Sequence, residues 1–175
     1  MTEQVWVSIG SNIQPAAMIR AAARDLRQQF GPLILSPVYQ TPATGFQGED
    51  FYNLVAGFDT DCPLTDLRQC LRAIEAQNGR VRTAEKFCAR TLDIDVMLYG
   101  SLISEADGKP VPSPEILTYA FVLQPLADVI PDQLHPVLGV SYQRLWADFT
   151  GDQSQIRQIP FNFERPTTKN RGPMA

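Results

Sequence analysis

The stretch from Gly79 to Asp95, GRVRTAEKFCARTLDID, holds the densest group of residues able to do chemistry. Between Arg80 and Arg90 it carries four bases, Arg80, Arg82, Lys86 and Arg90, against one acid, Glu85. The local excess is +3 (4 − 1), within a chain whose formal net charge is −4. Directly after this loop, the alternation of a β-strand puts Asp93 and Asp95 on one face and turns Leu92, Ile94 and Val96 toward a core on the other. Two carboxylates held side by side on a rigid strand repel each other unless a cation lies between them. Hard oxygen donors suit magnesium, which takes one or two carboxylates together with phosphate oxygens of a substrate. Guanidinium groups in the loop would then grip phosphate oxygens in pairs and stabilise the charge that grows during phosphoryl transfer. A solvated sheet face with surface ion pairs would explain either half by itself. The joining of a basic loop to paired acids points instead to a metal-phosphate site.

A second group runs from Tyr39 to Asn53, YQTPATGFQGEDFYN. Gly45 and Gly48 permit loop movement. Phe51 and Asn53, two apart on a strand, share a face on which a flat heterocycle could stack and hydrogen-bond, although an aromatic at a strand start equally suits a core. No G-x-x-x-x-G-K-[ST] loop occurs, and Gly10-Ser11-Asn12 lacks the remaining glycines of a dinucleotide fingerprint, so metal and arginine must hold any phosphates. Gly10-Ser11-Asn12 reads as a helix cap in a strand-to-helix turn.

The elements that must position these groups follow from hydrophobic periodicity. Val5 to Ile9 is a short β-branched strand. From Met18, apolar residues at Ile19, Ala22, Ala23, Leu26 and Phe30 recur at helical spacing until Gly31-Pro32. Leu33 to Tyr39 and Phe51 to Phe58 read as the next two strands. Pro63 opens a helix with Leu64, Leu67, Leu71 and Ile74 on one face, closed by Asn78-Gly79. Thr91 to Tyr99 is the fourth strand. The order strand, helix, strand, strand, helix, strand predicts an α+β ferredoxin-like sandwich, an antiparallel sheet with packed helices mainly on one face. Glu115 to Ala127 is expected to form one or two short helices or an edge strand. One domain is expected over 1–150, and the stretch from Gly151 to Ala175, with Pro160, Pro166 and Pro173, as a mobile or loosely docked tail.

With 175 residues the chain suits a single domain. Its net negative charge argues against nucleic acid and anionic membranes as partners. No export signal or membrane span is read, so a cytoplasmic location is expected. Cys62, Cys70 and Cys88 include no C-x-x-C pair, which favours reduced thiols. A single histidine, His135, excludes a His-rich metal centre.

Taken together and in this order, these groups resemble the 6-hydroxymethyl-7,8-dihydropterin pyrophosphokinases. The resemblance spans roughly Val5 to Pro136 and is most specific from Gly79 to Gly100, with support from Gly10-Ser11-Asn12, Thr41-Pro42, Phe51 to Asn53 and Phe121 to Leu126. It implies an enzyme that moves a diphosphate from ATP to the hydroxymethyl group of a reduced pterin in folate synthesis, releasing AMP. By the same resemblance, Asp93 and Asp95 hold two magnesium ions with ATP, and Arg80, Arg82 and Arg90 grip the triphosphate. Thr41, Pro42, Thr44 and Asn53 line the pterin pocket, with Phe51 and Phe121 on the two faces of the ring. Arg72, Glu75, Phe87, Val96 and Lys109 fall on the ATP side. The loops from Thr44 to Asp50 and from Arg80 to Ala89 would act as lids. ATP and a reduced pterin are the only partners implied, and a monomer is expected.

The chain departs from the family at several places. Ser113 stands where a histidine is usual and Tyr119 where an arginine is usual, both on the nucleotide side. Phe87 replaces a loop tryptophan, and Arg72 a glutamine, with Lys109 close enough in sequence to supply a replacement cation. A paralogue that binds pterin or nucleotide as a regulatory module with weak turnover is therefore the alternative, ahead of a purely structural ferredoxin-like domain.

Overall fold

The computed structural model describes residues 2–42, 50–79, 92–153 and 155–164. Strand β1 (Glu3–Ser11) leads into helix α1 (Pro15–Phe30), and two short strands follow, β2 (Ile34–Leu35) and β3 (Val38–Thr41). Next come β4 (Phe51–Thr60), α2 (Leu64–Gln77), β5 (Asp93–Tyr99), three short helices α3 (Glu115–Thr118), α4 (Ala120–Val129) and α5 (Tyr142–Ala147), and a last strand β6 (Arg157–Ile159). The sheet runs β5-β1-β4-β3-β6, with β2 also on β4, and every pairing is antiparallel. The core order β5-β1-β4-β3, with helices in the two crossovers, is the expected ferredoxin-like arrangement.

The strand expected over Leu33 to Tyr39 is divided. Pro37 has no N–H to give to a ladder, and the register against β4 slips by one residue between Leu35 and Tyr39. Ser36 repairs the gap: its N–H donates to the Val55 carbonyl at 3.0 Å, and its hydroxyl accepts the Val55 N–H at 2.9 Å.

Alternation along the strands divides the core in two. On one face Val5, Val7, Ile9, Leu54, Ala56, Ile94 and Val96 meet Ile19, Ala22 and Leu26 of α1 and Leu67, Leu71 and Ile74 of α2. Each fully buried side chain of this size contributes about 1.5–3 kcal/mol. On the other face Trp6, Val55, Met97 and Leu98 meet Ile116, Val122, Leu123, Leu126 and Tyr142. Helices were expected mainly on one face; α3, α4 and α5 add a second layer over part of the other. Gly57 makes room for it, since a Cβ there would lie 2.5 Å from the Trp6 ring.

One local expectation is also corrected. Ser11 and Asn12 do not cap α1. Ser11 is the last residue of β1, and the residue ahead of the helix is Gln14, which takes a left-handed conformation and makes no side-chain cap bond before Pro15. Within the stretch read as a mobile or loosely docked tail, β6 pairs with β3, and Phe161 and Phe163 pack against the first core. Arg20 fastens the same segment, lying 4.5 Å from the Phe161 ring centre and donating from Nε to the Asn162 carbonyl at 2.9 Å.

Candidate active site

The second helical layer covers only part of its face. Trp6, Val55 and Leu98 lie beneath it, but further along β1 the same face presents Ser8 and Gly10. Residues opposed in antiparallel strands point to one side of the sheet. The register therefore sets Asn53, Gly10 and Asp93 in one row across β4, β1 and β5, and Val55, Ser8 and Asp95 in the next. At a strand spacing of about 4.8 Å, the ends of the first row stand about 10 Å apart. The middle position has no side chain, and an added Cβ would come within 3.1 Å of Asn53 Oδ1. The row thus sets an amide at one end and a carboxylate at the other, with no side chain between them.

At the carboxylate end, oxygens of Asp93, Asp95 and Glu75 lie within 4.8 Å of one another. Burial and, after it, the charge of Asp93 push the Asp95 carboxyl above its ordinary range, while Arg72 draws it part of the way back. Arg72 Nη2 donates to Asp95 Oδ1 at 3.1 Å and to the Ile94 carbonyl at 3.2 Å, and Nη1 donates to Glu75 Oε1 at 3.1 Å. Glu75 Oε2 accepts the Ile94 N–H at 2.7 Å. Strand β5 ends the sheet, so the Ile94 backbone groups face away from β1; two side chains of α2 supply the partners that another strand would give. Both Glu75 oxygens are committed to protein groups, and the residue is 1% exposed. Arg72 and Glu75, read from the sequence as nucleotide residues, both bond the edge of β5 beside the aspartates. Asp93 and Asp95, half-buried and mutually repelling, fit a hard divalent cation such as magnesium.

The other expected nucleotide residues are spread out. Val96 is 7% exposed and belongs to the core with Ile94. Lys109 is exposed at the end of a short 3-10 turn, where its carbonyl accepts from Arg68 at 2.7 Å. Ser113, where the family has a histidine, is buried; its N–H donates to the Met97 carbonyl at 2.9 Å and its hydroxyl accepts the Glu115 N–H. Arg80, Arg82, Phe87 and Arg90 lie outside the described residues, as does Thr44.

At the amide end, Asn53 Nδ2 donates to Thr41 Oγ1 at 3.0 Å, which ties β4 to the end of β3. Thr41 and Pro42 open onto a cavity of about 330 Å³ whose far side is Tyr119, Ala120 and Phe121 at the start of α4. The Tyr119 and Phe121 rings stack 5.0 Å apart and 18° from parallel. Phe51 is half-buried on the same face as Asn53. Thr41, Pro42, Asn53 and Phe121, separated by up to eighty positions in sequence, are thus brought to one end of the sheet. Sequence reasoning missed Asp152, Gln155 and Ile156, which complete the cavity wall. No motif marks them, and only the pairing of β6 with β3 brings them there. It also missed the gap at Gly10, although a strand glycine is itself a signal of close approach.

The model of the 7,8-dihydro-6-hydroxymethylpterin-pyrophosphokinase (HPPK) family matches residues 6–131. The chain belongs to this family. A Pseudomonas aeruginosa relative, 2-amino-4-hydroxy-6-hydroxymethyldihydropteridine pyrophosphokinase, is 37% identical over 136 residues, which make up 75% of this chain and 83% of the relative. A Haemophilus influenzae protein of the same name is 30% identical over 135 residues, 75% of this chain and 84% of that one. The folic acid synthesis protein fol1 of Pneumocystis carinii is 32% identical over 142 residues; this match takes in 79% of the chain but only 19% of that longer protein. Among solved structures, wild-type HPPK-DHPS of Plasmodium falciparum superposes with a TM-score of 0.65 at 14% identity, covering 84% of this chain and 44% of that one. That likeness establishes the fold.

Proposed function

We propose that this chain transfers a diphosphate from ATP to the hydroxymethyl group of 6-hydroxymethyl-7,8-dihydropterin, releasing AMP, as a pyrophosphokinase of folate synthesis. The observation that carries the reading is the row Asn53, Gly10, Asp93, which sets an amide and a carboxylate on one face of one sheet. The pterin lies between Thr41, Asn53 and Phe121, with its hydroxymethyl arm pointing across Gly10 toward β5. Two magnesium ions held by Asp93 and Asp95 would neutralise the triphosphate and bind its oxygens. The hydroxyl oxygen attacks the β-phosphorus, the bond from that phosphorus to the bridging oxygen of AMP breaks, and AMP leaves.

The protein contributes position, charge and the exclusion of water rather than covalent chemistry. Arg72 and Glu75 hold the β5 edge so that Asp95 keeps its orientation, and Arg80, Arg82 and Arg90 are proposed to meet the phosphates. We assign the activity to a cytoplasmic monomer; among the described residues no helix is long and apolar enough to cross a membrane. One observation favours a second reading, a pterin- or nucleotide-binding module with weak turnover: Ser113 and Tyr119 bring no charge to the nucleotide side, and Arg72 occupies Asp95.

The test incubates purified protein with ATP and the pterin, with and without magnesium, and separates nucleotides and pterins by chromatography. AMP and the pterin diphosphate should form only with magnesium, and Asp95→Ala should abolish them while leaving the thermal transition in place. Binding of both ligands without AMP would favour the module. Near-normal turnover by Asp95→Ala would overturn the metal assignment.

A further inference from the structure

The cavity beside Thr41 is completed by residues beyond the family match, which ends at 131. Strand β6 runs antiparallel to β3, with Gln40 opposite Arg157 and Tyr39 opposite Gln158, and Asp152, Gln155 and Ile156 line the cavity with Thr41 and Pro42. Strand β6 and the residues after it are tied to the body of the protein. Arg157 donates to Gln40 Oε1 at 2.8 Å, and Arg20 holds Phe161 and Asn162. The strand order β5-β1-β4-β3-β6 also gives a direction. Asp93 and Asp95 are on β5 at one end, and Gln155 and Ile156 lead into β6 at the other.

We propose that Asp152 and Gln155 form a specificity wall for the pterin and contact the amino-oxo-pyrimidine edge of the ring. This rests on the functional reading above. If the hydroxymethyl arm points to β5, the opposite end of the bicycle points to β3 and β6. That end carries the 2-amino and N3 hydrogens, which a carboxylate or amide oxygen accepts. Asp152 and Gln155 are both exposed and both line the cavity, whereas Ile156 is half-buried and supplies an apolar contact. The wall precedes residues that pack on the core, Ile159, Phe161 and Phe163.

Deleting the segment would remove β6 and expose the core beneath Phe161, so point variants are the proper test. Asp152→Ala, Gln155→Ala and the double variant are titrated by calorimetry with 6-hydroxymethyl-7,8-dihydropterin, with its 2-oxo analogue and with a non-hydrolysable ATP analogue plus magnesium. Asn53→Ala, which removes the amide bonded to Thr41, serves as a control. The double variant should bind the pterin about tenfold more weakly, the effect of losing one charge-assisted contact. Its preference for the pterin over the 2-oxo analogue should fall by a similar factor, a change that a merely structural role would not produce. Unchanged pterin affinity and discrimination in the double variant, alongside weakened binding in Asn53→Ala, would overturn the wall and leave the functional reading standing. Absence of pterin binding by the unaltered protein would overturn both.

Discussion

Replacing Glu75 with alanine should destabilise the protein severely, because the residue holds the edge of β5. Two bonds disappear together: the 2.7 Å acceptor for the buried Ile94 N–H and the 3.1 Å partner of Arg72. Leaving a buried N–H unpaired costs about 1–3 kcal/mol. Breaking a buried ion pair from one side costs about 3–5 kcal/mol. Arg72 retains Asp95 and the Ile94 carbonyl and is 28% exposed on its side chain, which places the combined loss near the lower end, about 3 kcal/mol. For a domain of this size, each kcal/mol lowers the melting temperature by about 2–4 °C, so a drop of about 6–12 °C is expected in calorimetry. Glu75→Gln, which can still accept the Ile94 N–H, should lose less than half as much. Because Arg72 would then turn wholly to Asp95, magnesium titration should show weaker binding in Glu75→Ala. A melting temperature within 2 °C of the unaltered protein would refute the view that α2 braces the β5 edge.

Gly57→Ala would place a Cβ 2.5 Å from the Trp6 ring; overpacking of this kind costs about 1–3 kcal/mol, measurable as a lower urea midpoint. His135 is 5% exposed, and its Nδ1 accepts the Val137 and Leu138 N–H groups at 3.2 Å each, so burial holds its pKa below the ordinary value of about 6.5. The unfolded chain therefore binds the proton more readily: the contribution of neutral His135 is complete above about pH 6.5 and is lost as pH falls below it. Denaturation midpoints taken from pH 7.5 to 5 should show this loss, and His135→Asn, whose side-chain oxygen can replace Nδ1 as acceptor, should show a smaller one.

Much of the metal-side geometry was legible in the sequence because it depends on local alternation: Asp93 and Asp95 share a face wherever a strand forms, and Ile94 between them must turn to the core. The pairing of Phe51 with Asn53 was legible for the same reason. The support behind the aspartates was not. Arg72 and Glu75 are three apart on a helix, a spacing that signals a surface pair, and only the docking of α2 beside β5 converts it into an edge brace. The second helical layer was ambiguous because α4 is apolar on most sides and contains Pro125, so neither a helical stripe nor a strand alternation dominates. Strand β6 has three residues, two of them polar, too few to set a period. Pro37 signalled the division of the second strand, but the hydroxyl of Ser36, which lets the ladder resume, depends on a partner nineteen residues away.

The braced edge of β5 also governs how this protein meets its own copies. A free strand edge carries a row of unpaired amides onto which a neighbouring chain can dock, a common route to fibrils and accidental dimers. Here Glu75 and Arg72 take both Ile94 groups, and the Ser113 N–H takes the Met97 carbonyl. A second molecule arriving at β5 would find these sites occupied and a guanidinium in its path. The opposite margin is only as long as β6 and carries Arg157. Substitutions that loosen Arg72 or Glu75 would therefore make the protein stickier as well as less stable, by uncovering backbone beside the very carboxylates that must stay open to solvent and nucleotide.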